Sequence, residues 1–424
     1  MQSHYDVVVI GGGTAGAVAA IQAGRAGAKT LLVEKTGLLG GTITNAEIAN
    51  PGLFHAWGRQ IIAGIGWELV TAAAAESGTT LYDPADWTEH AWRQCVRLNP
   101  MTFAAIADDA VLDAGVDLHL HTMAARAADT GDRWDLTLCT KTGLVDTTAA
   151  AVIDATADAN VTALAGGPVE VEPAPQTATL NLHTHGVDLE RVDLDAVDAA
   201  FTAEVDAGRM AWTDVGSSGI GASGLLRRGG RNTVHLPAPD AHTSAGRTAV
   251  EVAARAIARK LQRFYRAQPG LETLQITAAV ETGIRETVGI RGLATVTAED
   301  YVSGRLWPDA VCYSYWPIDI HLDDPHQWVH VRPLEPHTFP TIPRGAMLPV
   351  GMRNLIVPGR AAAGDREARS AFRIQATCMA MGQTAGAMAA LAARTGAEAD
   401  ALPLDDVRDL LTAHGAIVPS AGQA

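Results

Sequence analysis

Gly11, Gly13 and Gly16 satisfy the pattern GxGxxG, directly after a β-branched run and before an alanine-rich one. In that setting the first glycine permits a tight turn, the second lets the backbone approach a pyrophosphate, and the third allows close helix–strand packing. Thr14 and Ala15 open the following helix, whose free N–H groups and dipole favour phosphate. Glu34 lies 34 − 16 = 18 residues beyond the last glycine. At the end of a second strand its carboxylate can accept hydrogen bonds from a ribose diol, which selects an unphosphorylated ribose. The chemistry predicted is dinucleotide binding, and these residues alone do not separate FAD from NAD. A second match, Gly219-Ile220-Gly221-Ala222-Ser223-Gly224, has no apolar strand before it and no acid ending a strand after it, so it reads as a loop.

These residues need a frame. Tyr5-Asp6-Val7-Val8-Val9-Ile10, a helix over 15–26 ended by Gly27, and an apolar strand over 29–34 make a βαβ unit, so helices should pack on a mainly parallel sheet. A helix is predicted over 101–114, then strands over 116–121, up to Val145 and over 150–155. The texture changes near Gly166, where Pro168, Pro173 and Pro175 mark a boundary. A strand over 177–184 and helices over 189–207 and 246–268 suggest an α+β region reaching Val331. Asn354-Leu355-Ile356-Val357-Pro358-Gly359 reads as a strand and turn feeding one long helix over 371–393. Arg373, Gln375 and Gln383 interrupt that helix, which is read as buried in protein and not as a membrane span. The expected class is α/β: a Rossmann-like domain with a discontinuous chain path plus an α+β substrate domain. Its expected limits are 1–165 (with a cap-like segment about 43–100), 166–331, 332–395 returning to the first domain, and a C-terminal helix and tail over 396–424.

With 424 residues, 47% of them hydrophobic, the chain can bury a large core in two or three domains. A net charge of −15 argues against a phosphate-tracking nucleic-acid surface. Cys95, Cys139, Cys312 and Cys378 stand singly with no CxxC pair, and no basic, apolar leader precedes the first strand. A cytoplasmic protein is expected, with a small-molecule partner, no nucleic acid and no membrane, and with self-association into a homo-oligomer left open.

The chain resembles the FAD-dependent oxidoreductases of the glutathione-reductase-type superfamily. The resemblance rests on the glycine turn with Glu34-Lys35, on Leu39-Gly40-Gly41-Thr42, on Ile153-Asp154-Ala155-Thr156-Ala157-Asp158, on Tyr315-Trp316-Pro317-Ile318-Asp319-Ile320-His321, and on the stretch from Asn354 to Gly386. It implies FAD as the cofactor. Gly40, Gly41 and Thr42 would line its pyrophosphate and ribityl chain, Ala124 would meet the adenine through its backbone, and Thr156 and Asp158 would support the cofactor domain. Gly359-Arg360 and Asp365 resemble the later motif whose acid binds ribityl hydroxyls. The helix after Arg373 and Ile374 would aim its N-terminal N–H groups at the flavin pyrimidine edge, where they stabilise the anionic reduced ring. Two positions depart from the pattern. Ala157 stands where the family usually has glycine, and Thr287-Val288-Gly289 stands where a Ser-Arg-Arg run usually follows the Arg-Glu pair.

A flavin that oxidises an alcohol or amine takes hydride, so the protein must position the carbon and remove a proton. His321 leads as the base because it lies in a family-like block; on an extended strand Asp319 shares its face and can orient the imidazole. His55 is the runner-up. Arg285 and Arg344 offer donor forks to an acidic or polyhydroxylated substrate, and Tyr313 and Tyr315 are proton donors or pocket wall. Trp57, Trp67, Trp87 and Trp92 cluster in the cap-like segment and read mostly as core. His183 with His185, and His119 with His121, share strand faces but lack further ligands, so no metal site is predicted. The expected function is FAD-dependent removal of hydride from a small hydroxylated or amino metabolite by a dehydrogenase or oxidase, electrons passing to oxygen or a carrier. The alternatives are an NAD(P)H-using flavin monooxygenase or double-bond reductase, and a non-catalytic flavin-binding protein.

Overall fold

The computed structural model describes residues 1–88 and 94–420. The β-branched opening run forms β1 (His4–Ile10). Its side chains alternate in direction, so Val7 and Val9 enter the core under the helices while Val8 and Ile10 enter the core on the other face. The turn leads into α1 (Thr14–Arg25) and back to β2 (Thr30–Val33), which pairs parallel with β1. α2 (Pro100–Asp113), capped by the Asn99 side chain, delivers β3 (Asp117–His119) to the outer edge of β2. Two antiparallel strands follow, β4 (Met123–Asp129) and β5 (Trp134–Thr140).

The twelve-residue β6 (Gly143–Asp154) serves two neighbourhoods. Its first half pairs antiparallel with β5, and its second half runs parallel to β1. The sheet order is β3-β2-β1-β6-β5-β4, and a strand from far along the chain, Leu355–Ile356, also pairs parallel with β6. The sheet is therefore completed only with the return of the chain.

The second core draws on buried side chains from Ala178 to Ile284, among them Phe201, Leu225, Leu261 and Tyr265. β7 (Ala178–Leu180) and β8 (Leu182–His185) pair antiparallel with β9 (Val234–Leu236) and β10 (Gln275–Ala278) respectively, with α3 (Leu194–Asp206) and α4 (Ser244–Arg266) beside them. The hairpin β11 (Ile318–His321) and β12 (Val329–Arg332) follows.

Three expectations change. The strand over 177–184 divides at Asn181, whose amide accepts from the Asn232 N–H (2.9 Å) and donates to the Glu47 carbonyl (2.6 Å), so its halves pair with different strands. The segment over 219–224 is not a loop: a short helix spans Gly221–Arg227, anchored by the Asp198 carboxylate on the Ser223 N–H and hydroxyl. The long helix is two. α5 (Arg366–Phe372) ends before Ile374, which adopts an extended ψ of 140°, and α6 (Gln375–Thr395) starts anew. Asp365 caps the first, and the Pro51 carbonyl takes the Ala376 N–H (2.8 Å), fixing where the second begins.

α6 lies directly on α1. A Cβ at Gly382 would overlap the Ala15 carbonyl and one at Gly386 the Ala19 carbonyl, so these small residues let the two backbones touch. No helix among the described residues is long and apolar enough to cross a membrane. Trp92 lies outside the described residues.

Candidate functional site

The glycine turn is built from backbone. The Gly11 N–H reaches the Val33 carbonyl (2.8 Å) and the Gly40 N–H the Gly12 carbonyl (2.8 Å), which brings Gly40 against Gly13. Glu34 is buried and accepts from the Gly12 N–H (2.7 Å) and the Thr36 N–H (2.8 Å). Each of its carboxylate oxygens keeps a further lone pair for a ligand hydroxyl. Gly16 has no choice of residue, since a Cβ would overlap the Gly11 carbonyl. At Gly13, by contrast, the nearest atom to an added Cβ is the Gly41 Cα at 3.9 Å, so nothing within the chain demands glycine there. The missing side chain leaves the backbone at the helix start open, which fits a pyrophosphate. Gly13→Ala is accordingly expected to leave the melting temperature of the flavin-free protein within about 1 °C, while lowering flavin occupancy of the purified protein; absorbance at 450 nm per polypeptide reads the latter.

Thr42 accepts the Ile48 N–H through its carbonyl (3.0 Å), Ala124 is half-buried on β4, and the Lys35 side chain is exposed. Thr156 donates to Asp154 (2.6 Å). Asp158 accepts from Arg360 and from the Thr287 hydroxyl (2.6 Å), while Arg360 also donates to the carbonyls of Ala157 (2.9 Å) and Ile284. Burial alone would raise the Asp158 carboxyl, but Arg360 and Thr287 outweigh it and lower it. This strut ties the 154–158 block to the Gly359 turn. Thr287, a departure from the family pattern, is part of it. Ala157, the other departure, sits at φ 67°, a left-handed conformation that costs a non-glycine residue about 1–2 kcal/mol. Both Asp365 oxygens serve backbone N–H groups, of Ala368 (2.8 Å) and Ala298 (2.7 Å), so its observed work is to cap α5 and brace Ala298.

Next to the start of α6 lies a buried group of charges and imidazoles. His321 Nε2 is 3.1 Å from Asp319 Oδ1. Trp316 Nε1–H donates to the other Asp319 oxygen (3.2 Å), the Asp319 N–H to Ser370 (3.1 Å), and Arg373 to the Asp319 carbonyl (3.3 Å). Burial works against the Asp319 carboxylate, yet His321, Arg373 and Trp316 hold it well below the usual carboxylate range. Burial, then the Arg285 charge, brings the His321 imidazolium down to about 4 against the pull of Asp319. Nε2 and Oδ1 stand at ion-pair distance without hydrogen-bond alignment, and Asp319 Oδ1 and His321 Nδ1 are both buried without a hydrogen-bond partner. Burial favours the neutral ring, whose Nδ1 is free to take a proton when Nε2 carries the hydrogen.

His235, which motif reading missed, packs edge-on against His321 with ring centres 4.9 Å apart, and Trp328 flanks both rings. Arg285 donates to the Thr177 carbonyl (2.6 Å) and lies 3.2 Å from His235 Nε2. A guanidinium only donates, so His235 Nε2 accepts and its proton sits on Nδ1, which is also buried and unpartnered. Burial, followed by the Arg285 and His321 charges, pushes His235 well below the normal histidine range. Burial brings Arg285 itself down to about 9. Gln176 ties the group together: its Oε1 accepts from the His321 N–H (2.9 Å), and its N–H and amide donate to Glu286 (2.6 and 2.9 Å).

The other candidates go elsewhere. His55 is buried against Trp87 with Nε2 3.3 Å from Gln94 Oε1, beside a cavity of about 10 Å³ with room for one water, lined by Gly52, Phe54 and Trp67. Tyr315 packs on Trp57 and Trp87, and burial pushes its hydroxyl up to about 12, which keeps it protonated. Arg344 donates to the Leu402 carbonyl (2.6 Å), holding the C-terminal segment and not a substrate. Tyr313 is core beside Phe339. His183 pairs with Glu47 and stacks on His185, and His119 meets Asp117 at 3.1 Å. Among the described residues no group of three or more His, Cys, Asp or Glu is placed to hold a metal ion.

The family profile of the FAD dependent oxidoreductases matches residues 6–411. The chain belongs to that family. It is an FAD-dependent oxidoreductase, FAD is its cofactor, and the glycine turn and open Gly13 backbone fit that group. Curated relatives match over short stretches. A dihydrolipoyl dehydrogenase of Trypanosoma brucei brucei is 57% identical over 53 residues, 12% of this chain and 11% of that one. A leghemoglobin reductase of Glycine max is 54% identical over 52 residues, 12% of this chain and 10% of that one. The chain thus spans about a tenth of the length of the curated relatives it matches. Among solved structures, a geranylgeranyl bacteriochlorophyll reductase-like protein from Thermoplasma acidophilum is 14% identical at a TM-score of 0.44, covering 97% of this chain and 82% of its own. A p-nitrophenol 4-monooxygenase from Pseudomonas putida is 10% identical at 0.42, covering 97% and 84%.

Proposed function

We propose that this oxidoreductase removes hydride from a small hydroxylated or amino metabolite and passes the electrons to oxygen or a carrier. The observation that carries the reading is the His321–Asp319 pair with its free, buried Nδ1. Bound FAD supplies the two-electron acceptor. The chain supplies the rest: His321 Nδ1 takes the hydroxyl or amine proton as the carbon is oxidised, and Asp319 holds the ring and stabilises the imidazolium that forms. Gly13, Thr14, Ala15, Glu34 and Gly40-Gly41-Thr42 would hold the ADP half of FAD, and the α6 start, with Arg373 and Ile374, would meet its flavin ring. Asp158 and Arg360 stiffen the turn between them.

Anaerobic mixing of the flavin-loaded enzyme with small alcohols and amines tests this, because bleaching of the flavin spectrum by such a substrate is the expected result. Rapid bleaching by NADH or NADPH without any other substrate would overturn it in favour of a monooxygenase or double-bond reductase.

The pH dependence has a definite sign. A base that titrates at about 4 is free throughout the neutral range, so substrate-driven flavin reduction should rise from pH 3.5 to 5 and then stay level to 7. A midpoint near 6.5 would exclude His321 as the base. The same depressed value affects stability: the unfolded chain protonates this histidine near 6.5 and the folded one near 4, so acid favours unfolding across that window, by about 3 kcal/mol at its lower end.

A further inference from the structure

The solvent side of α4 carries charge that the fold leaves unanswered. From Arg255 to Arg266 the sequence has five basic residues and no acid, in a chain whose net charge is −15. Two of the five are paired: Arg255 lies 4.0 Å from Glu251 and Lys260 2.5 Å from Asp214. Arg259, Arg263 and Arg266 are exposed and meet no carboxylate at ion-pair distance among the described residues. Four and three residues apart, they share one face of the helix and line a groove of about 650 Å³ beside β10. Ala258 and Ile276 add apolar lining. Gln262, also in the lining, spends its Oε1 on the Ile276 N–H (3.1 Å), so its amide hydrogens remain to donate. The helix dipole accounts for Arg263 and Arg266 in the last turn, but Arg259 stands two turns from the end, outside that reach. Room and uncompensated positive charge therefore coincide.

We propose that this groove binds a small polyanion, a molecule with two or more phosphate or carboxylate groups. A guanidinium fork matches either group with paired N–H donors. The three arginines extend over 266 − 259 = 7 residues, about 10 Å of helix, a span that a lone phosphate does not bridge. The groove volume of about 650 Å³ falls within the range of about 300–1,000 Å³ for small-molecule sites. Beyond the groove the negative chain opposes a long nucleic-acid strand. The site is also separate from that of the cofactor. Arg247, near the other end of α4, lies within the field of Arg360 and Asp158 beside the Gly359 turn. Arg259 comes 259 − 247 = 12 residues later, about 18 Å further along the axis. A ligand in the groove therefore binds the flavin-loaded protein without displacing FAD, and the inference stands independently of hydride removal.

Isothermal titration calorimetry of the flavin-loaded enzyme at low salt tests this with pyrophosphate, tripolyphosphate, ADP and citrate, against inorganic phosphate. Bound FAD keeps ADP from the glycine turn. At least one polyanion should bind one-to-one with a Kd of about 100 μM or below, and about 10-fold or more tighter than inorganic phosphate. A preference for the phosphates or for citrate identifies the anionic group, and either supports the site. Binding should weaken steeply as ionic strength rises, because the arginines are exposed. Arg259→Glu and Arg263→Glu should each weaken it by about 10-fold or more at unchanged flavin absorbance and melting temperature. Arg133→Glu, which reverses an exposed charge in the first domain, should leave it as it is. Should a glutamate variant fail to fold, Arg263→Ala and Arg266→Ala carry the same comparison. Absence of binding by all four polyanions overturns the proposal, as does binding that the groove variants retain or that Arg133→Glu loses equally. Binding of duplex DNA without binding of any of the four also overturns it, since the arginines would then be a polymer-binding patch.

Discussion

His321→Ala should slow substrate-driven flavin reduction by about 10²–10⁴-fold, the usual contribution of a positioned base, in a protein that remains yellow. The two halves of that outcome come from different parts of the fold. In the proposed placement flavin is held by the turn after β1 and the start of α6, and the His321 ring instead meets Asp319, His235 and Trp328. Its backbone N–H bond to Gln176 survives the substitution, so the hairpin keeps its anchor. Asp319→Asn should cost less, because the imidazole stays in place and only its tautomer and the stabilisation of its charged form are lost. Rapid-scanning spectroscopy under anaerobic conditions measures both. Parent-like reduction in His321→Ala would move the base to His55, whose ring is buried and paired to Gln94.

Gly382→Val should do the opposite, damaging the frame and leaving the chemistry of any residual folded protein unchanged. The added side chain enters the Ala15 carbonyl at the α1–α6 crossing, where two backbones meet and neither can step aside without moving the sheet. Overpacking of this kind costs about 1–3 kcal/mol or more, roughly 2–12 °C in melting temperature for a domain of this size. Flavin should be lost with it, since Ala15 belongs to the phosphate turn and α6 carries Ile374 and Gln375 at its head. Thermal melts with and without added FAD measure the effect. An unchanged melting temperature and flavin content would show that the helices are not in backbone contact.

The cofactor half was readable because its constraints are local. Gly11 to Glu34 is one βαβ unit, and a short pattern captures it. The kink at Ile374 was not readable, because the 371–393 composition suits a continuous helix and the break is imposed by a carbonyl from Pro51, more than three hundred residues away in sequence. His321 with Asp319 was legible as two residues on one strand face. His235 was not, since a lone histidine in Thr233-Val234-His235-Leu236 resembles many core-capping ones, and its partners Arg285 and His321 arrive from other segments. One signal was present. Thr177-Ala178-Thr179-Leu180-Asn181 alternates polar with apolar, a pattern that ordinarily sends the polar side to water. Here Thr177, Thr179 and Asn181 are at most 3% exposed, and a strand that buries its polar face is lining something polar.

The way β6 is shared between near and distant neighbours has a consequence for synthesis. Ribosomes deliver residues 1–165 early, yet the strand Leu355–Ile356 and the helix that covers α1 emerge only after some two hundred more residues have been made. Pairings so far apart along the chain raise contact order and delay closure of the unit. The nascent amino-terminal segment must therefore wait with an uncovered α1 and an unfilled sheet, exposed to chaperones and to aggregation, and cofactor uptake becomes a late, post-translational event. A chain that stops before Leu355 would leave the ribosome with its nucleotide fingerprint complete but without the strand and the helix that pack on β6 and α1.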